Sequence, residues 1–181
     1  MKPPIETLHL FPLLNKELIS FLKQLPPEDW QKQTIAKKWV VKDVAAHLLD
    51  GNYRRIALHR DGWYVPPVIP IRSYNDIVNY LNTLNAEWVK AAKRLSPGII
   101  IELLELTNEV VYREFSKLDP FAMAAYSVSW AGESESFNWF DIAREYTERW
   151  LHQQQIRDAV NDSSLMSKEL YQPFLNVFMQ A

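Results

Sequence analysis

Apolar residues recur along most of this chain at intervals of three and four, the spacing that lines one face of an α-helix. In "LLNKELISFLKQL" the stripe is Leu14, Leu18, Phe21, Leu22 and Leu25, and Pro26-Pro27 stops it. A second helix is predicted from about Val41 to His59, with Trp39 just outside its start. The prolines of the next stretch, "DGWYVPPVIPIRS", exclude a regular helix there. Ser73 with Asp76 resembles a capping box for a third helix, which should turn Ile77, Tyr80, Leu81, Leu84, Trp88 and Ala91 toward a core. Ser96-Pro97 supplies the N-cap and first position of a fourth, "GIIIELLELTNEVVYREFSKL", which Asp119-Pro120 ends. "FAMAAYSVSWAGESES" reads as an extended or irregular connector, and a fifth helix runs from near Asn138 to about Val160.

Long helices with one connector and a short apolar tail predict an all-α four-helix bundle with extra elements. The length fits one domain, residues 1–181, better than two. Residues 163–181 read either as a short closing element or as the start of a truncated further region. One local weakness is expected: Val40 stands where a capping Ser or Thr would serve the second helix, leaving its start less well satisfied.

Composition narrows the chemistry. At 48% hydrophobic residues the chain can bury a sizeable core, and its net charge of -2 offers no bulk attraction to nucleic acid or an anionic membrane. No apolar run approaches the roughly 20 residues that span a bilayer. The N-terminus lacks a secretory h-region and cleavage site, so a cytoplasmic location is the expectation. Cysteine is absent, which excludes disulfides, thiolate metal sites and a protein thiol nucleophile. Sulfur chemistry would need a thiol from outside. A metal would have to be held by Asp, Glu and the four histidines, His9, His47, His59 and His152.

The fifth helix carries "YTERWLHQQQIR" at residues 146 to 157. Asp141, Arg144, Glu145, Glu148, His152 and Gln155 fall on one face of it. A charged face is commonly only a solvated stripe. Here, however, Trp139, Ile142, Ala143, Tyr146 and Trp150 already make a buried face, and Leu151 and Ile156 extend the apolar surface around Glu148 and His152. A helix apolar on nearly all sides is buried all round. A buried Glu and His must then be paired with each other or bind a metal. His47 also has a carboxylate four residues earlier, Asp43, but that residue lies in the first turn, where it favours the helix dipole. His47 itself lies in an apolar stretch, as a hydrogen-bonded core histidine or as a ligand. Arg144 and Gln155 share the face of Glu148 and are candidates to line a cofactor pocket. Arg157, about 100° away, could equally be a surface residue. His9 and His59 have no partner at metal-ligand spacing.

"DWQKQTIAKKWVVKDVAAHLLDGNYRRI" resembles the Trp-x-x-x-Asp-x-x-x-His-Leu signature of the mycothiol-dependent maleylpyruvate isomerase N-terminal domain, a branch of the DinB-like superfamily. "SWAGESESFNWFDIAREYTERWLHQQQIRDAV" is similar to its second signature, and the resemblance covers about residues 5 to 160. It implies a four-helix bundle with a divalent metal, usually zinc, on His47, Glu148 and His152. Such a donor set suits zinc and leaves one position open. The resemblance further implies a low-molecular-weight thiol as cosubstrate, whose pKa the metal would lower. The expected activity is that of a thiol S-transferase or thiol-dependent isomerase acting on a small electrophile. In the isomerase a second, C-terminal domain adds to the substrate site, whereas this sequence ends at Ala181. Expected partners are the small-molecule thiol and electrophile, with no nucleic acid and no membrane, and a homodimer is compatible. The alternatives are a non-catalytic metal-binding module and a metal-dependent hydrolase.

Overall fold

Each helix begins where the chain supplies a group for the free N–H donors of its first turn. The computed structural model describes residues 2–180, which form six α-helices: α1 Phe11–Gln24, α2 Val41–His59, α3 Tyr74–Ala92, α4 Pro97–Phe115, α5 Asn138–Ala159 and α6 Lys168–Gln180. Ser73 Oγ accepts from the Asp76 N–H at 3.2 Å to start α3, and Ser96 Oγ accepts from the Ile99 N–H at 3.3 Å to start α4. The start of α2 departs from expectation. Val40 offers no side-chain acceptor, but its own N–H donates to Asp43 Oδ2 at 3.2 Å, and the Val41 N–H donates to the Lys32 carbonyl at 3.0 Å. A carboxylate inside the helix and a carbonyl from the preceding loop do the work of the missing cap.

Helix α1 packs on α4 and α5, and α2 packs on the same two, so four helices close a ring in the order α1, α4, α2, α5. This is a four-helix bundle, as the periodicity predicts. Leu22, Val44, Leu49, Ile100, Leu104 and Ile156 are among the side chains of one core cluster, and Phe11, Leu14, Phe115, Tyr146 and Trp150 belong to a second. The tail is helical and closes against α5. Tyr146 donates its hydroxyl to the Leu170 carbonyl at 2.7 Å, and the Trp150 ring lies 4.3 Å from that of Phe174.

Helix α3 has the expected span but not the expected burial. It lies outside the ring against α2, and only Val89 and Ala92 are buried. Leu81 is 39% exposed, and Ala91 faces water while Ala92 faces the core. The C-terminal half is anchored, with the Trp88 indole donating to the Ala46 carbonyl at 2.7 Å. In the N-terminal half no residue is fully buried, and Ile77, Val78 and Tyr80 are only half-buried.

The centre of the bundle is polar. Arg149 of α5 is buried and donates to Asn108 Oδ1 of α4 at 2.9 Å, to Asn15 Oδ1 of α1 at 3.3 Å and to Asn52 Oδ1 of α2. One turn earlier, Arg55 of α2 is clamped by α5. Its Nη1 and Nη2 donate to Asp141 at 2.7 and 2.9 Å, and its Nε donates to Glu145 at 3.1 Å. Burial alone would push both carboxyls up, but the Arg55 charge, with Arg144 beside Asp141 and Arg149 beside Glu145, outweighs it and holds each near 2.

Three outcomes follow for stability. Arg55→Ala strands two buried carboxylates and should cost about 3–5 kcal/mol in urea unfolding. Lys23→Ala removes a surface pair, 51% and 56% exposed, and should cost no more than about 1 kcal/mol. The folded pKa values of Asp141 and Glu145 lie below their ordinary 3.8 and 4.5. Their contribution is therefore complete above about pH 4.5 and is lost as pH falls toward 2. Urea midpoints measured between pH 6 and 2.5 should drop in that window, and the Arg55→Ala variant should show a flatter slope there.

Candidate metal centre

Helices α2 and α5 run along one seam of the ring. Two turns from the Arg55 clamp the seam brings together the three histidine and carboxylate side chains singled out in the sequence. One ligand atom each from His47, Glu148 and His152 lies within 4.8 Å of the others. The His47 and His152 ring centroids are 4.7 Å apart at 81°, edge to face. His152 Nε2 stands 3.4 Å from Glu148 Oε2. Two ligands on bonds of about 2.0–2.1 Å at a tetrahedral angle stand about 3.3–3.4 Å apart, so this edge already has the dimensions of a zinc site.

The loop before α2 fixes the approach to His47. Trp39 is pinned by Thr34, whose N–H and hydroxyl both donate to the Trp39 carbonyl at 3.1 and 2.8 Å. The Trp39 ring then lies 5.0 Å from the His47 ring. Burial takes the His47 imidazole down to about 3, aided by the positive charges of His152 and Arg54 and only partly opposed by Glu148 and Glu145. The ring is thus neutral and keeps a lone pair. Its Nδ1 is buried with no hydrogen-bond partner among the described residues.

His152 is oriented by its own helix. Its Nδ1 lies 2.9 Å from Gln155 Oε1, an oxygen that can only accept, so Nδ1 carries the proton. The Nε2 lone pair consequently faces the Glu148 carboxylate. Two electron-rich atoms in that position need a positive partner between them, either a proton on Nε2 or a metal ion. An imidazole whose second nitrogen is hydrogen-bonded is the usual arrangement for a metal-ligating histidine. Burial pushes the Glu148 carboxyl up, but the His152 hydrogen bond and charge outweigh it, leaving the net direction downward. The two residues differ in access: His152 is 13% exposed and Glu148 is 44% exposed, which leaves one side of the cluster open to solvent. The chemistry of the donors, the preset tautomer and the unpartnered His47 nitrogen fit a divalent cation.

The remaining residues of the α5 face divide. Gln155 reaches the cluster through His152. Arg144 lays Nη2 and Nε on Asp141 Oδ1 at 2.8 and 3.2 Å. Asp43 caps the start of α2 and pairs with Lys93 Nζ at 2.6 Å. Arg157, for which a surface position was open, is instead buried, paired with Asp162 at 2.9 Å and stacked 4.0 Å from the Phe21 ring. The polar residues that sequence reasoning missed are Arg55, Arg149, Asn15, Asn52 and Asn108. A signal was present for the three asparagines, each of which falls among apolar residues at helical spacing, whereas Arg149 has Glu145, His152 and Gln153 at that spacing and gave none.

Because burial excludes the charged ring, the metal-free His47 should show no titration between pH 8 and 5 when its Cε1 proton is followed by NMR. The unfolded ring takes up a proton near 6.5, and the folded one refuses it down to about 3. The His47 contribution to stability is therefore full above about pH 6.5 and declines as pH falls toward 3.

The family model described as the mycothiol maleylpyruvate isomerase N-terminal domain matches residues 11–157. No curated protein and no solved structure gives a match.

Proposed function

The chain belongs to the mycothiol maleylpyruvate isomerase N-terminal domain family, and on that premise we propose that it is a divalent-metal-dependent thiol S-transferase or thiol-dependent isomerase acting on a small electrophile. His47, Glu148 and His152 hold the ion, zinc or a similar one. The observation that carries this reading is the convergence of those three ligand atoms within 4.8 Å at a face open on one side.

A zinc ion there would lower the pKa of a bound thiol and keep it as thiolate at neutral pH. The chain's own residues prepare the position. His47 is kept neutral by burial. Gln155 fixes the proton of His152 on Nδ1 and so aims Nε2 inward. Glu148 supplies the single negative charge among the three ligands, so a divalent ion would keep one positive charge to attract an anionic sulfur. Trp39 walls one flank of His47 against water. The absence of cysteine fits a nucleophilic sulfur that arrives with a cosubstrate.

Removing ligands separates this centre from the helix start. Glu148→Ala should abolish tight zinc binding in calorimetric titration. Asp43→Ala should leave zinc affinity intact and cost about 0.5–2 kcal/mol through the lost cap. Equal loss of zinc in both would mean that the carboxylate ligand is misassigned. Conjugation of a generic electrophile by a panel of small thiols should be accelerated by metal-loaded protein, abolished by chelation and proportional to added thiol. Acceleration absent across the whole panel, with zinc still bound through all three ligands, would defeat the transferase reading. Gln155→Leu should weaken zinc binding by about 10–100-fold while leaving the helical signal unchanged.

A further inference from the structure

Arg54 lies on α2 seven residues after His47, which at 100° per residue puts the two within about 20° on the same helix face, two turns apart. Its side chain leans toward the helix N-terminus, as helical side chains do, and so toward His47. The ion pair from its Nη2 to Asp50 Oδ2, at 3.0 Å across one turn, shows that direction. Asp50 engages only part of the guanidinium. Arg54 Nε is buried with no hydrogen-bond partner among the described residues, although a guanidinium offers five donors. The side chain as a whole is 38% exposed, so it is reachable from solvent. The other arginine on this side, Arg144, directs its Nε and Nη2 to Asp141.

The geometry points to Arg54 as the residue that receives an anionic group, of the carboxylate type, carried by the molecule that enters the open side of the His47–Glu148–His152 cluster. The inference rests on the metal-centre reading above and narrows its ligand. A carboxylate matches the planar fork of a guanidinium, and the pairing is strongest where water is partly excluded. The sulfur would take the open metal position while the carboxylate took Arg54, so one ligand would be held at two points. Asp50 occupies the guanidinium in the meantime and competes with the incoming anion. Arg54 is a specificity-determining residue in this scheme and takes no part in bond making.

The test uses the full chain loaded with cobalt(II) in place of zinc, because a sulfur ligand on cobalt gives a charge-transfer band that reports binding without turnover. Thioglycolate, which bears a carboxylate, and 2-mercaptoethanol, which does not, are titrated separately. Acetate serves as a competitor with a carboxylate and no sulfur. The ratio of the two half-saturating concentrations is compared between variants, so that intrinsic differences between the thiols cancel. Arg54→Gln should shift that ratio against thioglycolate by about ten-fold or more, the scale of a charge-assisted hydrogen bond. Cobalt affinity should not fall, and the helical signal should not change. Arg54→Lys should restore part of the preference, Asp50→Asn should tighten thioglycolate binding, and acetate should compete with thioglycolate in wild type but not in Arg54→Gln. An unchanged ratio in Arg54→Gln, with the sulfur band intact, would overturn the role of Arg54 and leave the metal centre standing. Absence of the sulfur band in cobalt-loaded wild type would overturn the centre and this inference together.

Discussion

Two guanidinium groups inside the ring, Arg55 and Arg149, are the constraint from which the other features follow. A buried cation without partners is among the costliest features a core can contain. The bundle meets it by giving Arg149 an asparagine from each of the three other ring helices, and Arg55 the two carboxylates of α5. Apolar packing tolerates small slips between helices, whereas these hydrogen bonds do not. The polar centre therefore sets both the rotation of α5 and its height relative to α2.

That register is what makes the candidate centre. Asp141, Glu145, Glu148 and His152 follow one another at steps of three and four residues, so fixing the first two against Arg55 fixes the last two opposite His47. The neighbouring ion pairs hold the members of the cluster at one edge of the seam. The same stretch of helix thus has two roles: its earlier turns neutralise cations of the core, and its later turns offer donors at a solvent-facing edge. Asp141 and Glu145 are buried, whereas Glu148 is half-exposed and gives the cluster its solvent-facing side.

Much of this could be read from the residues. Helix spans, the ring-forming stripes and the grouping of His47 with Glu148 and His152 all follow from periodicity together with the family resemblance. What escaped was pairing between helices. One strand of sequence shows that Asn52 interrupts the stripe of Leu48, Leu49 and Ile56, but not that Asn108 and Arg149 arrive from two other helices to meet it. Arg157 looked compatible with water because its partners, Asp162 and the Phe21 ring, lie beyond the end of its helix and on α1. For α3 the periodicity identified a helix and an apolar face, yet periodicity carries no information on whether a partner is available. The Val40 start was misjudged for a related reason, since its acceptors are a carboxylate three residues ahead and a carbonyl eight residues behind.

The two halves of the candidate centre come from helices far apart in the chain; even Arg55 and Glu145, on the same seam, are separated by 90 residues. An unfolded chain would hold such groups apart, so an ion bridging α2 and α5 would bind almost only to the closed ring. Linkage then makes the ion a thermodynamic clasp, raising the free energy of unfolding by RT ln(1 + [L]/Kd), about 2.7 kcal/mol at a hundred-fold excess over Kd. An ion held there would thereby lengthen the life of the folded protein.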